Sequence, residues 1–134
     1  MIPLIVHSYY SLMWGTRSPG KICAVARRLG YRKLALTDTD NLYGLWPFLD
    51  ACRQEGITPI VGAELTDPAS AHRTVCLVEN DTGYRNLCRL ITRRRFAEKG
   101  PFAFETAVAD LAEGLVVLTQ NADLMRSWHA AGVT

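Results

Sequence analysis

Five short apolar runs, separated by stretches of helical period, limit the folds open to this chain more than any other feature. The runs are Leu4-Ile5-Val6, Leu34-Ala35-Leu36, Thr58-Pro59-Ile60-Val61, Thr74–Val78 and Leu115–Leu118. They are too short for buried helices and read as buried strands. The helical patterns between them carry their own punctuation. Ser18-Pro19 supplies an N-cap with Pro at the first helical position; Ile22, Val25, Ala26 and Leu29 form a stripe, and Gly30 stops it. Leu45, Phe48, Leu49 and Cys52 form a second stripe closed by Gly56, with Pro47 tolerated in its first turn. Asp81 or Thr82 caps a third helix that turns Tyr84, Leu87, Cys88 and Ile91 inward. Gly100-Pro101 breaks the chain, a short helix fits Thr106–Leu111, and a last one fits Ala122–Ala131, ended by Gly132. The order β-α-β-α-β-β-α-(α)-β-α predicts an α/β fold with a mainly parallel sheet and outer helices. Right-handed crossovers would bring every strand's C-terminal tip to one face, and with it His7, Asp38, Glu64, Asn80 and Thr119.

The stretch Lys33–Gly44 has the sharpest change of character. An apolar strand turns polar at Thr37 and delivers Asp38, Thr39, Asp40 and Asn41 at its tip, where α/β folds build their sites. On spacing alone, Asp38 and Asp40 are as well explained as turn and helix-capping residues. One His and two carboxylates at the strand tips begin a divalent-metal site, but such sites ordinarily use three or more protein ligands.

A chain of 134 residues predicts a single domain, 1–134, and 49% hydrophobic with 21% charged residues fits a folded globular one. No 18-residue apolar run is present, so no membrane span is expected, and Ile2–Val6 is too short for a secretory leader. Cys23, Cys52, Cys76 and Cys88 form no CxxC pair and read as buried free thiols in a reducing, cytoplasmic setting. The net charge of +2 selects no partner. The one charge run is in the third helix: Arg85, Arg89, Arg93, Arg94, Arg95 and Lys99, opposed by Glu98. Arg85, Arg89 and Arg93 share a face by their i, i+4, i+8 spacing, which suits either solvent or a phosphate backbone. Aromatics do not alternate with them, so no base-stacking platform is indicated there.

Four segments in order resemble one family. Val6-His7-Ser8-Tyr9-Tyr10-Ser11-Leu12 is similar to the first motif of PHP (polymerase and histidinol phosphatase) domains, Leu36–Gly44 to the second, and Gly56–Glu64 to the third. Asn80-Asp81-Thr82-Gly83-Tyr84-Arg85-Asn86-Leu87 resembles a segment of the bacterial DNA polymerase III alpha subunits. Ile91-Thr92-Arg93 and Ala97-Glu98-Lys99-Gly100 resemble their error-prone paralogue. The resemblance implies a distorted TIM-like β/α barrel, usually of seven strands, of which this chain supplies about five. It also implies that the chain is the N-terminal part of a longer polymerase, packed against that polymerase's core modules.

Active members of the family hydrolyse phosphoesters with about three metal ions, so the resemblance also says where ligands should stand. The first motif's His-x-His is Ile5-Val6-His7, a later acidic ligand falls at Trp14, and the second motif's His is Thr39. The third motif's Glu survives as Glu64. The next His falls at Arg73, with His72 one residue away and so directed to the other side of a strand. A Cys or His after the fifth strand corresponds to Asn121 or a neighbour. His7 and Glu64 are then a vestigial metal site, with Asp38, Thr39, Asp40 and His72 around a vestigial pocket. His7 is expected as a core histidine paired with Glu64 or Asp38.

The reading that follows is a non-catalytic scaffold domain that requires no cofactor. A small phosphoesterase or 3′-5′ exonuclease using zinc, manganese or iron at a reduced site is the enzyme alternative. A receiver-like signalling domain with Asp38 as phosphoacceptor is the alternative from another class. His7-Ser8 and Thr119-Gln120 stand against it, where acidic residues and a Lys are wanted. Weak DNA contact through Arg85, Arg89 and Arg93 is expected. So is self-association of the isolated chain as a dimer, because an unclosed barrel leaves strand edges and apolar faces bare.

Overall fold

A computed structural model describes residues 1–96 and 102–134. The Ala97-Glu98-Lys99-Gly100 segment and the Gly100-Pro101 break lie outside the described residues. The chain divides into two compact units, Met1–Ala63 and Glu64–Thr134.

In the first unit, helix α1 (Pro19–Arg28) precedes strand β1 (Lys33–Leu36), helix α2 (Leu45–Glu55) and the start of strand β2 (Thr58–Thr66). Helix α1 begins as its sequence dictates: the Ser18 hydroxyl accepts from Lys21 N and Pro19 takes the first turn. Its buried face, however, is Pro19, Cys23 and Ala26, while Leu29 is 64% exposed at the C-cap. Strands β1 and β2 pair in parallel from Lys33↔Thr58 to Leu36↔Val61, with α2 as the crossover. Gly56 ends α2 at φ 65°, a left-handed conformation that costs glycine little. Cys23, Ala26, Leu34, Leu36, Phe48 and Cys52 are the centre of this core, and Val6 and Ile22 pack on it.

The expected first strand, Leu4-Ile5-Val6, does not form as a regular strand. Its segment runs beside β1 with Pro3 O accepting from Ala35 N and Val6 O from Thr37 N. Three residues on one side thus match two on the other, the signature of a bulge. Pro3 has no N–H to donate, and the Val6 N–H goes to the Thr37 hydroxyl at 2.9 Å instead of a backbone carbonyl.

In the second unit β2 ends, a turn leads to β3 (Arg73–Val78), and α3 (Asp81–Phe96), α4 (Phe104–Asp110), β4 (Leu115–Thr119) and α5 (Ala122–Ala130) follow. The turn is built by Asp67, whose N–H reaches His72 O while its carboxylate accepts from Ala69 N and the Ser70 hydroxyl. Helix α3 is capped by Asn80, not by Asp81 or Thr82: its Oδ1 accepts from Gly83 N at 3.0 Å. Gly83, Asn86, Leu87, Leu90 and Ile91 face inward, and Tyr84 faces out. Asn121 caps α5, accepting from Asp123 N and Leu124 N. On the outer helices, the Phe104 ring meets that of Trp128 at a tilt of 53°, and the Trp128 indole N–H donates to Glu105 O.

Strand order is β1-β2-β3-β4. The fold is α/β as expected, with the sheet mixed rather than mainly parallel: β3 and β4 are antiparallel, from Thr74↔Thr119 to Val78↔Leu115. Among the described residues, four regular strands stand where five are expected. Antiparallel pairing also separates two of the expected strand tips, because Asn80 follows the end of β3 that meets the start of β4, whereas Thr119 sits at the other end. Glu64 is not at a tip either; β2 carries it within the strand and continues to Thr66.

Candidate functional site

The tip of β1 is organised by one buried carboxylate. Asp38 is 2% exposed, and three donors converge on it. Its Oδ1 accepts from Ser8 N at 2.7 Å and from the Ser11 hydroxyl at 2.6 Å; its Oδ2 accepts from the Ser8 hydroxyl at 2.7 Å. Both hydroxyls are used twice, since Ser8 Oγ accepts from Tyr10 N and Ser11 Oγ from Thr39 N. Asn41 adds a second stitch, donating to Tyr10 O and Thr39 O and accepting from Tyr43 N. Two glycines make the close approach possible. A Cβ on Gly44 would lie 2.9 Å from Asp38 Oδ2, and one on Gly15 would lie 1.9 Å from Ser8 O. Asp40 holds φ 52° in the left-handed region. Neither aspartate caps α2, whose N-cap is Gly44 with no side-chain hydrogen bond.

The Asp38 oxygens therefore serve Ser8 and Ser11, and the expected His7–Asp38 pair does not form. His7 is half-buried, with its Nε2 inaccessible to solvent and its ring 6.2 Å from that of Trp14. Ser8 and Ser11 are the residues that sequence reasoning missed here. Their signal was present: two hydroxyls three residues apart opposite a strand-end Asp.

In the second unit Glu64 is 8% exposed on β2. Arg73, the first residue of β3, donates from Nη1 to its Oε2 at 2.9 Å. His72 turns to a different partner, with its Nε2 3.0 Å from Asn121 Nδ2. Because Asn121 Oδ1 is held by the start of α5, its NH₂ must face the imidazole, so His72 Nε2 accepts and the ring proton sits on Nδ1. These two line an open cleft of about 520 Å³ together with Asp67, Phe102, Glu105 and Asp123. Among the described residues, no group of three or more His, Cys, Asp or Glu side chains is arranged to hold a metal ion.

The expected arginine stripe is exposed on α3. Arg85 reaches the Thr82 hydroxyl at 3.3 Å and Arg89 the Asn86 amide at 3.4 Å, both along the helix itself. Arg94 clamps the end of β2 through Thr66 O at 2.6 Å and Thr66 Oγ1 at 2.9 Å. The Asn80–Leu87 motif serves a local brace. Asn86 Nδ2 donates to Glu113 O, Glu79 N to Gly114 O, and a Cβ on Gly83 would lie 1.8 Å from Gly114 O. Elsewhere in the molecule, burial pushes the Cys52 and Cys76 thiols up to about 12, and Cys23 also upward, so these are poor nucleophiles.

The family model described as "PHP domain" matches residues 4–129. The chain is 38% identical to the DNA polymerase III subunit alpha of Chlamydia pneumoniae over 135 residues, covering 88% of this chain and 11% of that protein. It is also 38% identical to the Escherichia coli K12 subunit over 127 residues, with the same coverage. An error-prone DNA polymerase of Pseudomonas aeruginosa is 43% identical over 96 residues, which is 71% of this chain and 9% of that protein. The chain thus spans about a tenth of the length of these relatives. Among solved structures, a candidate metal-dependent phosphoesterase from Bifidobacterium adolescentis aligns over all of this chain and 51% of its own, with TM-score 0.56 and 18% identity. An amidohydrolase from Chromobacterium violaceum, solved with sulfate and no metal, aligns over 96% of this chain and 48% of its own, with TM-score 0.53 and 24% identity. These two likenesses agree with a partial TIM-like barrel.

Proposed function

The chain belongs to the PHP domain family, and on that premise we propose that it is the N-terminal PHP module of a bacterial polymerase of the DNA polymerase III alpha type, acting as a scaffold rather than as a hydrolase. The observation that carries this reading is the closure of the β1 tip on itself: Asp38 spends its oxygens on Ser8 and Ser11. Two further candidate ligand atoms are engaged by the protein's own groups, Glu64 Oε2 by Arg73 and His72 Nε2 by Asn121. Positions 5, 14 and 39 hold Ile, Trp and Thr, which bring no ionisable ligand. This donor set does not fit a multi-metal centre, which needs several carboxylate or imidazole ligands per ion.

The partners are the polymerase modules of the same parent chain, in the cytoplasm, with a weak electrostatic contact to DNA through Arg85, Arg89 and Arg93. No helix among the described residues is long and apolar enough to cross a membrane. Severed from such modules, the chain associates with a second copy. The test is elemental analysis of the purified chain, followed by assays on p-nitrophenyl phosphate and on a single-stranded DNA 3′ end with added manganese or zinc. The expected result is less than a tenth of a metal per chain and no metal-stimulated turnover. Hydrolysis that depends on the metal and on Glu64 would replace the scaffold reading with the reduced-site enzyme.

A further inference from the structure

A carboxylate as buried as Glu64 needs a cation or several donors beside it. We infer that Arg73 is the resident cation of this fold: its guanidinium holds Glu64 where a metal-dependent relative requires a divalent ion, and so frees the second unit from metal. The inference rests on the scaffold reading above and adds how the metal was dispensed with.

Three observations converge. The Nη1–Oε2 distance is 2.9 Å, a charge-assisted hydrogen bond rather than a distant attraction. The pair is unequally sheltered, with side-chain exposures of 40% for Arg73 and 11% for Glu64, so the carboxylate is the buried partner and the guanidinium the more solvated one. Arg73 opens β3 directly after the turn that His72 closes, and the two neighbours diverge, one to Glu64 and one to Asn121. The strand start thus delivers its positive charge to Glu64 and its imidazole elsewhere.

The chemistry of the exchange is one-sided. A guanidinium stays charged at every working pH, whereas a metal-binding imidazole must be neutral and its site must be filled. A guanidinium neutralises a carboxylate but offers no open coordination position, so it cannot generate a metal-bound hydroxide. A dication brought beside Glu64 would face Arg73 at short range, and like-charge repulsion would raise its dissociation constant by orders of magnitude.

The experiment is thermal unfolding of the full 134-residue chain, of Arg73→Met, of Arg73→Lys and of the double variant Glu64→Gln/Arg73→Met. Each is scanned in EDTA and in manganese or zinc alone. The wild-type Tm is expected to be the same in all three solutions. Arg73→Met is expected to fall by about 5 °C or more, since it removes a charge-assisted hydrogen bond from a buried carboxylate. It should regain nothing when manganese or zinc is added, because Glu64 without further ligands among the described residues does not hold a divalent ion. The double variant should recover at least half of the loss and show no response to metal. Arg73→Lys keeps the charge and should unfold between wild type and Arg73→Met without a metal response, which preserves the test if Arg73→Met fails to fold. If Arg73→Met matches wild type, or the double variant recovers none of the loss, the inference is overturned while the scaffold reading stands. A wild-type chain purified with stoichiometric metal, or stabilised by it, overturns the scaffold reading instead.

Discussion

Replacing Asp38 by Ala should be the most damaging single change in the first unit. Three donors point at its oxygens: the Ser8 N–H and the hydroxyls of Ser8 and Ser11, at 2.6–2.7 Å. The hydroxyls can rotate toward other acceptors, but the Ser8 N–H cannot. A hydrogen bond to a charged group contributes about 1.5–3 kcal/mol, and an orphaned buried donor costs about 1–3 kcal/mol. The space beside Asp38, among Leu36, Asn41, Leu42, Leu45 and Gly62, is about 10 Å³, at the lower limit for a water molecule. Water therefore enters only the hole left by the carboxylate itself, and its rescue is partial. A loss of about 3–5 kcal/mol follows, against a whole-domain stability of about 5–15 kcal/mol. Asp38→Asn keeps the shape and one acceptor and should lose about half as much. In urea, with a slope of about 1–3 kcal/mol per molar, Asp38→Ala should lower the midpoint by about 2 M with the slope unchanged. Trp14 and Trp46 fluorescence reports on the same unit. A triple variant adding Ser8→Ala and Ser11→Ala should be little worse than Asp38→Ala alone, because the three act as one network. A loss under 1 kcal/mol for Asp38→Ala, or full additivity in the triple variant, would refute the view that this carboxylate ties the first motif to the second.

Gly83→Ala should cost about 2–4 kcal/mol, since its Cβ would meet Gly114 O at 1.8 Å, backbone against backbone. Gly20→Ala, also helical but with nothing within 4 Å, should be neutral or stabilise by up to about 1 kcal/mol, and equal costs at the two sites would contradict the brace. Cys52 and Cys76 retain their protons in the folded chain up to about 12, against 9.0 when unburied. Their contribution to stability is thus whole below pH 9 and is lost as the pH rises from 9 toward 12, because the unfolded thiols give up their protons first. At pH 8, Ellman's reagent should find Cys88 at most in the native chain and all four thiols in urea; fast reaction of Cys76 would deny its burial. Changing Arg85, Arg89 and Arg93 together to Gln should abolish what DNA retention there is at 50 mM salt, and binding that outlasts 300 mM salt would need another surface. Light scattering over a dilution series should show a dimer falling to a 14.9 kDa monomer, and a monomer at every concentration would remove the argument from uncovered strands.

The amino-acid sequence by itself determined the elements whose causes are local. Ser18-Pro19 starts α1 and Gly56 ends α2 because caps and left-handed stops depend on a few neighbouring residues. The α/β class followed from the alternation of apolar runs with helical stripes, and the family from four motifs in order. The tertiary structure decided whatever depends on which segments meet. Leu4-Ile5-Val6 has strand composition, yet the Thr37 hydroxyl takes the Val6 N–H that a regular ladder would use. Antiparallel pairing of β3 with β4 cannot be read from apolar runs, since the same run fits either direction and only the partner's path selects one. For the same reason Asn80 and Thr119, similar as strand-end residues, lie at opposite ends of a strand pair. The site divides along the same line. Sequence singled out Asp38 and Glu64 as the residues at issue, but a carboxylate's role is fixed by what donates to it. Ser8 and Ser11 stand about thirty residues from Asp38, and Arg73 nine residues from Glu64, distances that only folding closes.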